Sequence, residues 1–254
     1  MAPTNDVVLI GTTNAVRTVT FNRPDKLNAF DTGLYRAVSA ALHAASIDDE
    51  VSAVVLTGAG RAFSAGQDLD EMALLATGAT SDSGFPDFLD SLQSFDKPLL
   101  CAVNGLGIGI GFTLLAHCDL VVVSTDARFR VPFAPLGVPP EAASSYLFPL
   151  RMGWQRAAHV LFTGDWVSAA EAVEWGLALE TAAPGQVLAR AQELAERIAT
   201  SPLDALRAIK TAMLAGQRDA ISAARSHEDA AFAELLGSAA TLDALDRFGE
   251  AGKV

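Results

Sequence analysis

Two stretches of small residues are where this sequence could do chemistry. In PLLCAVNGLGIGIGFTLLAHCD, residues 98–119, glycine recurs at Gly105, Gly107, Gly109 and Gly111, between an apolar run at 99–103 and another at 112–116. In RAFSAGQDL, residues 61–69, a second small-residue turn follows the β-branched run 51–57 and precedes a helical pattern at 71–76. A glycine-rich turn that feeds a helix lets backbone approach a ligand and leaves N–H groups free at the positive end of the helix dipole. Such a place holds negative charge, either a phosphate or an oxyanion. Spacing separates the two. The dinucleotide pattern G-x-G-x-x-G would need glycine at Ile110 or Phe112, and no G-K-[ST] follows for a P-loop. Two adjacent strands would bring both turns to one sheet edge, where one N–H from each could converge on a single oxygen as an oxyanion hole. Tight packing of helix against sheet is the competing reading of the glycines.

Composition narrows the classes. Half of the 254 residues are apolar, enough for a large core and against disorder. Lys+Arg 18 against Asp+Glu 30 gives a formal charge of −12, which argues against a general nucleic-acid binder. Cys101 and Cys118, both in apolar surroundings, read as buried thiols of a reducing compartment, and neither belongs to a metal-ligand pattern. The N-terminal text lacks the features of a signal peptide, and no apolar run approaches the roughly 18 residues of a membrane span. The expectation is a cytoplasmic protein with no membrane partner.

The elements that must position the two turns follow from pattern. Residues 7–10 and 15–21 read as strands joined by a hairpin at 11–14. Asp31 is an N-cap candidate for a helix to 46, with Leu34, Val38, Ala41 and Leu42 on one face. Residues 77–87 read as a mobile loop and 88–95 as a helix. Strands are expected at 51–57, 99–103, 120–124 and 127–131, and irregular chain at the proline-rich 132–140. Helices follow at 142–151 and 154–162. Ser168 with Glu171 forms a capping-box pattern for a helix to 175, which Gly176 ends. Beyond 187 the pattern is helical only, at 187–199, 203–214 and 219–236. This is an α/β core followed by a helical C-terminal part, without a repeat of fixed period in the sequence.

Taken together, NRPDKLNAF, VVLTGAGRAFSAGQDL, KPLLCAVNGLGIGIGFTLLAHCDLVVVS and FTGDWVSAAEAVEWGLALE resemble the crotonase (enoyl-CoA hydratase/isomerase) superfamily over residues 7–180. The resemblance implies a β-β-α spiral core over 1–186 holding a coenzyme A thioester site. It implies a helical region over 187–254 that builds a homotrimer or a dimer of trimers. The substrate is then an acyl-CoA, with no further cofactor and no metal. By position, the oxyanion-hole donors are the N–H groups of Gln67 and Ile110. Hydratases of this superfamily carry glutamates where this sequence has Thr113 and Phe133, and so lack nothing that orients water; here both carboxylates are missing. Eight residues beyond Phe133 stands Glu141, in LGVPPEAASSYLFPLRMG, which resembles the Δ3,Δ2-enoyl-CoA isomerases.

The implied roles are Glu141 as acid/base and Phe133 as an apolar wall that raises its pKa. Lys26, Leu27, Ala65, Gly66, Asp68, Leu69, Gly109 and Lys210 join Phe133 as substrate-binding positions. Of these, Asp68 closes the turn that aims the Gln67 N–H, and Lys26 and Lys210 are candidates for the nucleotide phosphates, Lys210 across a subunit interface. The segment 77–87 and the helix after it would set acyl specificity. Against catalysis, Glu141 reads as an ordinary acid at a helix start after Pro139-Pro140. Three rival functions stand beside the isomerase. One is an enoyl-CoA hydratase or other crotonase-type activity on an unusual acyl-CoA, and one is a non-catalytic acyl-CoA binder. The third is a serine thioesterase built on Ser64, Asp119 and His159 in hydrolase order. His43, His117, His159 and His227 read as structural or surface residues.

Overall fold

The alternating residues near the N-terminus pair as an antiparallel hairpin, β1 (Val8–Thr13) with β2 (Val16–Phe21), Thr13 lying opposite Val16. The structure, a computed structural model, describes residues 6–80 and 82–251. The hairpin turn is Asn14-Ala15, at φ 51° and 60°, and not the whole of 11–14; Gly11, Thr12 and Thr13 belong to the strand. Two left-handed residues give the turn the twist of the strands it joins. A short 3₁₀ turn at Pro24–Lys26 leads to α1 (Thr32–Ser46), capped by the Asp31 carboxylate, which accepts from the Leu34 N–H at 2.7 Å.

The chain then repeats one unit three times: a strand, a second short strand and a helical turn. The first is β3 (Ala53–Gly58), β4 (Ala62–Ser64) and α2 (Leu69–Ala76), followed by α3 (Phe85–Ser94). The second is β5 (Leu99–Val103), β6 (Leu106–Ile108) and α4 (Ile110–Thr113), continued by a 3₁₀ turn at Leu114–His117. The third is β7 (Leu120–Ser124), β8 (Arg128–Arg130) and α5 (Phe133–Leu136). After α6 (Ser144–Met152) and α7 (Trp154–Thr163) come β9 (Val167–Ser168), α8 (Ala169–Glu174) and β10 (Glu180–Ala182). The remainder is α9 (Val187–Ala199), α10 (Leu203–Ala215), α11 (Arg218–Leu235) and α12 (Ala239–Ala251).

First strands of each unit stack in one sheet, ordered β1-β2-β3-β5-β7-β10, and second strands in another, ordered β4-β6-β8-β9. Each turn of the spiral adds one parallel strand to both sheets. This repeat is spatial, made by strand pairing, which is why no sequence period announces it. The central strands are buried on both faces, which accounts for their unbroken apolar runs. Leu56, Cys101 and Val123 face the main core, while Val55, Leu100 and Val122 pack on Ala191 and Ala195 of α9.

Ser168 and Glu171 form the expected capping box, and Gly176 at φ 84° follows the helix. Three expectations are corrected. The helix read at 88–95 begins at Phe85, because Pro86 fits its first turn, so the loop is 77–84; Ser81 lies outside the described residues. The proline-rich 132–140 contains the one-turn helix α5. A further helix, α12, follows α11 and places Ala244 and Leu245 in the main core. Among the described residues no helix is long and apolar enough to cross a membrane.

Two of the repeated glycines are packing devices. A Cβ on Gly105 would lie 2.2 Å from the Arg61 carbonyl oxygen, and one on Gly111 2.6 Å from that of Ser64. Both contacts join the glycine-rich stretch to backbone of the preceding unit. Gly105→Ala is expected to cost about 1–3 kcal/mol by overpacking, read as a lower urea midpoint at unchanged slope.

Candidate active site

Parallel pairing of β4 with β6, Ala62 beside Leu106 and Ser64 beside Gly107, sends both small-residue turns off the same sheet edge. Gly66 and Gly109 sit at φ 94° and 50°, conformations that only glycine adopts without cost. A Cβ on Gly66 would lie 2.9 Å from the Ile108 carbonyl oxygen. One on Gly109 would lie 3.8 Å from Gly66 Cα and 3.9 Å from Glu141 Oε1. The two turns and the carboxyl of Glu141 therefore meet at one place.

The N–H groups at this edge are mostly spoken for. Phe30 N–H donates to Gly66 O at 2.7 Å and Asp68 N–H to Phe30 O at 2.8 Å, a bridge that passes over Gln67. Gly109 N–H donates to Arg130 O at 2.9 Å, while Phe112 and Thr113 N–H both donate to Gly109 O. Among the described residues no protein acceptor takes the N–H of Gln67 or of Ile110, the latter being the first residue of α4. One donor from each turn is left over, at the two positions named from the sequence.

The first loop braces these turns. Arg23 pairs with Asp31 at 2.9 Å and Asp68 at 3.1 Å, and its guanidinium also donates to Ala29 O. Buried Asn28 donates to Ala59 O and Ala62 O, and Ala65 N–H donates to Leu27 O at 2.9 Å. Asp68 caps α2 through the Asp70 N–H. Leu27 and Asp68 thus hold the turn, and neither lines the cavity beside it. Lys26 is exposed, paired at 3.4 Å with Asp70, also outside the lining. Lys210 lies on α10. Its buried ammonium is committed to Asp119 at 2.9 Å and Lys97 O at 2.8 Å, and it lines a separate, smaller cavity. Asp119 also accepts the Leu99 N–H, so this pair ties α10 to the start of β5.

The turns open into a cavity of about 570 Å³. Ala65, Gly66, Gln67, Gly109 and Glu141 line its polar end. Leu69, Met72, Phe85 and Phe133 line the apolar part, with Phe232 of α11 and Leu236 at its C-cap. Helices α2 and α3 and the loop between them thus contribute to the wall, where acyl specificity was expected, and α11 adds a side that the sequence did not indicate.

Burial, then the charge of Glu228, raise the Glu141 carboxyl to a pKa of about 8. The buried Thr113 hydroxyl beside it pulls the other way. Tyr35 donates to Gln67 Oε1 at 2.8 Å, and its own pKa is raised well above the usual phenol value by burial, then by Glu141 and Glu71. Glu228 was missed from sequence. Its signal was an acid inside the stripe Ile221, Ala224 and Phe232 of one helix, continued by Leu236 at its C-cap, each of which packs on the main core.

No serine triad forms. Ser64 Oγ accepts the Gly66 N–H, Asp119 is taken by Lys210, and exposed His159 pairs with Asp165. Ser64→Ala should cost about 1 kcal/mol of turn stability and leave thioester turnover within about tenfold of the parent. Complete loss of turnover in a folded variant would restore the nucleophile reading.

A β-β-α spiral with free N–H groups at the edge of its second sheet defines a crotonase-type protein. The chain belongs to the enoyl-CoA hydratase/isomerase family, which matches residues 11–254. It is 35% identical to the 2,3-dehydroadipyl-CoA hydratase of Escherichia coli K12 over 232 residues, 91% of either chain. It is 39% identical to enoyl-CoA delta isomerase 2 of Rattus norvegicus over 178 residues, 68% of this chain and 45% of that one. A crystal structure of an enoyl-CoA hydratase/isomerase from Pseudoalteromonas atlantica T6c superposes with a TM-score of 0.91 at 33% identity, covering 96% of this chain and 97% of the other. The protein is an enzyme of this family, with crotonase-type activity on acyl-CoA thioesters. Relatives of both reaction types resemble it, so the family alone does not choose the reaction.

Proposed function

We propose that the enzyme moves a double bond from Δ3 to Δ2 in an enoyl-CoA thioester, with Glu141 as its acid/base. The observation that carries this is the carboxyl of Glu141, 3.9 Å from the Cβ position of Gly109 and raised to a pKa of about 8 by its surroundings. In this reading the thioester carbonyl lies against the N–H groups of Gln67 and Ile110. Ionised Glu141 takes a proton from C2, the electron pair delocalises over the carbonyl and the C3–C4 double bond, and the two donors hold the dienolate oxygen. Each such donor contributes about 2.7–4 kcal/mol to transition-state stabilisation. The protonated carboxyl then returns its proton at C4, which leaves the double bond between C2 and C3. One group serves both carbons because both lie on one face of the bound chain. Thr113 and Phe133, where hydratases carry carboxylates, support isomerisation over addition of water, and buried Phe133 supports a dry cavity. No separate cofactor or metal takes part in this scheme.

The base acts only when ionised, so kcat/KM on trans-3-hexenoyl-CoA should rise with pH through a limb near 8 and level above it. Glu141→Gln should lower kcat by about 10²–10⁴-fold with binding retained. Hydration of trans-2-hexenoyl-CoA by parent and variant alike would overturn the isomerase reading in favour of a hydratase. Tight binding of both thioesters with no turnover of either would leave an acyl-CoA binder.

A further inference from the structure

Directly after Glu141 the chain adopts a bend its own residues disfavour. Ala142 and Ala143 follow one another at φ 58° and 56°, where each non-glycine residue costs about 1–2 kcal/mol. Three hydrogen bonds from distant residues hold them there. His117, in the 3₁₀ turn after α4, meets the Ala142 carbonyl oxygen at 2.7 Å through Nε2. A carbonyl only accepts, so Nε2 carries the proton; burial lowers the pKa of the ring to about 4 and keeps it neutral. From the opposite direction in sequence, Glu228 of α11 accepts the Ala143 N–H at 2.7 Å and the Ser145 N–H at 2.9 Å. These are among the orphan donors at the start of α6, whose cap residue Ala143 has no side chain able to accept them. A carboxylate from another helix does the work of a cap.

That carboxylate is 4% exposed. Burying it is unfavourable, and the two backbone donors favour its ionised form against that cost. An apolar residue at 228 would leave both N–H groups without an acceptor. The same helix lines the cavity through Phe232, with Leu236 at its C-cap, so the residue that holds the bend and residues of the apolar wall share one element.

We propose that Glu228 is a positioning residue for the reaction: with His117 it clamps the Ala142–Ala143 bend, keeps the Glu141 carboxyl at the Gly66–Gly109 edge, and makes its aim depend on the docking of α11. This rests on the role given to Glu141 above. Besides each other, the carboxyls of Glu141 and Glu228 have Asp229 of α11, Tyr35 of α1 and, through Tyr35, Glu71 of α2 as titratable neighbours. Arg130 lines the same cavity, and Arg225, Arg151 and Lys210 face His117.

The test compares Glu228→Gln with the parent on trans-3-hexenoyl-CoA and follows amide hydrogen exchange at residues 142–146. Expected is a fall in kcat on the order of 10²-fold, with KM held within about threefold. The rising limb of the pH profile should also move to lower pH, because Glu141 loses a negative neighbour. Faster exchange at Ala143 and Ser145 should accompany both. Glycine takes a positive φ freely, so adding Ala143→Gly should recover part of kcat. A folded Glu228→Gln enzyme with parental kcat, pH profile and exchange overturns the proposal. So does a loss of melting temperature alone. If Glu228→Gln does not fold, His117→Leu, which breaks the other arm, carries the same readouts. A parent that converts no 3-enoyl thioester would refute the isomerase reading, yet the exchange measurement would still decide the clamp, since unchanged protection at Ala143 and Ser145 overturns it.

Discussion

Everything at this site depends on the parallel pairing of two three-residue strands, β4 and β6. A parallel pair sends both chains out at the same end, so the turns that follow must share an edge. Close approach then excludes side chains: Gly111 and Gly105 press on backbone of the preceding unit, while Gly66 and Gly109 bend with φ positive. What remains is a pair of N–H groups with no acceptor among the described residues, set at the polar end of an apolar cavity. A donor left over by the backbone costs no reorganisation when charge develops on a bound oxygen.

The second constraint is the electrostatics of burial. Two carboxyls, Glu141 and Glu228, are drawn out of water near one another, and each raises a problem that the other helps define. Glu228 has backbone donors that favour its charge; Glu141 has only the Thr113 hydroxyl pulling its way. The asymmetry places the more strongly perturbed acid, near 8, at the edge where a proton would be moved. Such a group is protonated or ionised at modest cost around neutral pH, which is what a carboxyl that both takes and returns a proton requires.

The C-terminal helices are part of this machinery within the same chain. Helix α9 covers the face of the sheet opposite the main core, α10 is pinned to β5 through Lys210 and Asp119, and α11 supplies a cavity wall and Glu228. Lys210 illustrates how neighbours in the fold set the surroundings of a residue that local pattern leaves open. A lysine on a helical stretch reads as a solvated cation. Here the helix turns it onto Asp119 and the Lys97 carbonyl, and the charge is spent on the fold.

Local order in the sequence determined much of this protein: the apolar strands, the Asp31 and Ser168 caps and the two glycine-containing turns, while Gln67, Ile110 and Glu141 stood out as candidates once motif spacing was compared with a family. Those features are local, set by side-chain type, periodicity and turn chemistry within a few residues. The tertiary structure alone decided the rest. The spiral repeat comes from strand pairing between units, not from any recurring word. The turns' bracing through Arg23, the burial of Lys210 and the reach of Glu228 to Ala143 and Ser145 join residues tens of positions apart. The pKa of Glu141 belongs with these, because desolvation and a neighbouring charge are properties of a folded place and not of a residue type.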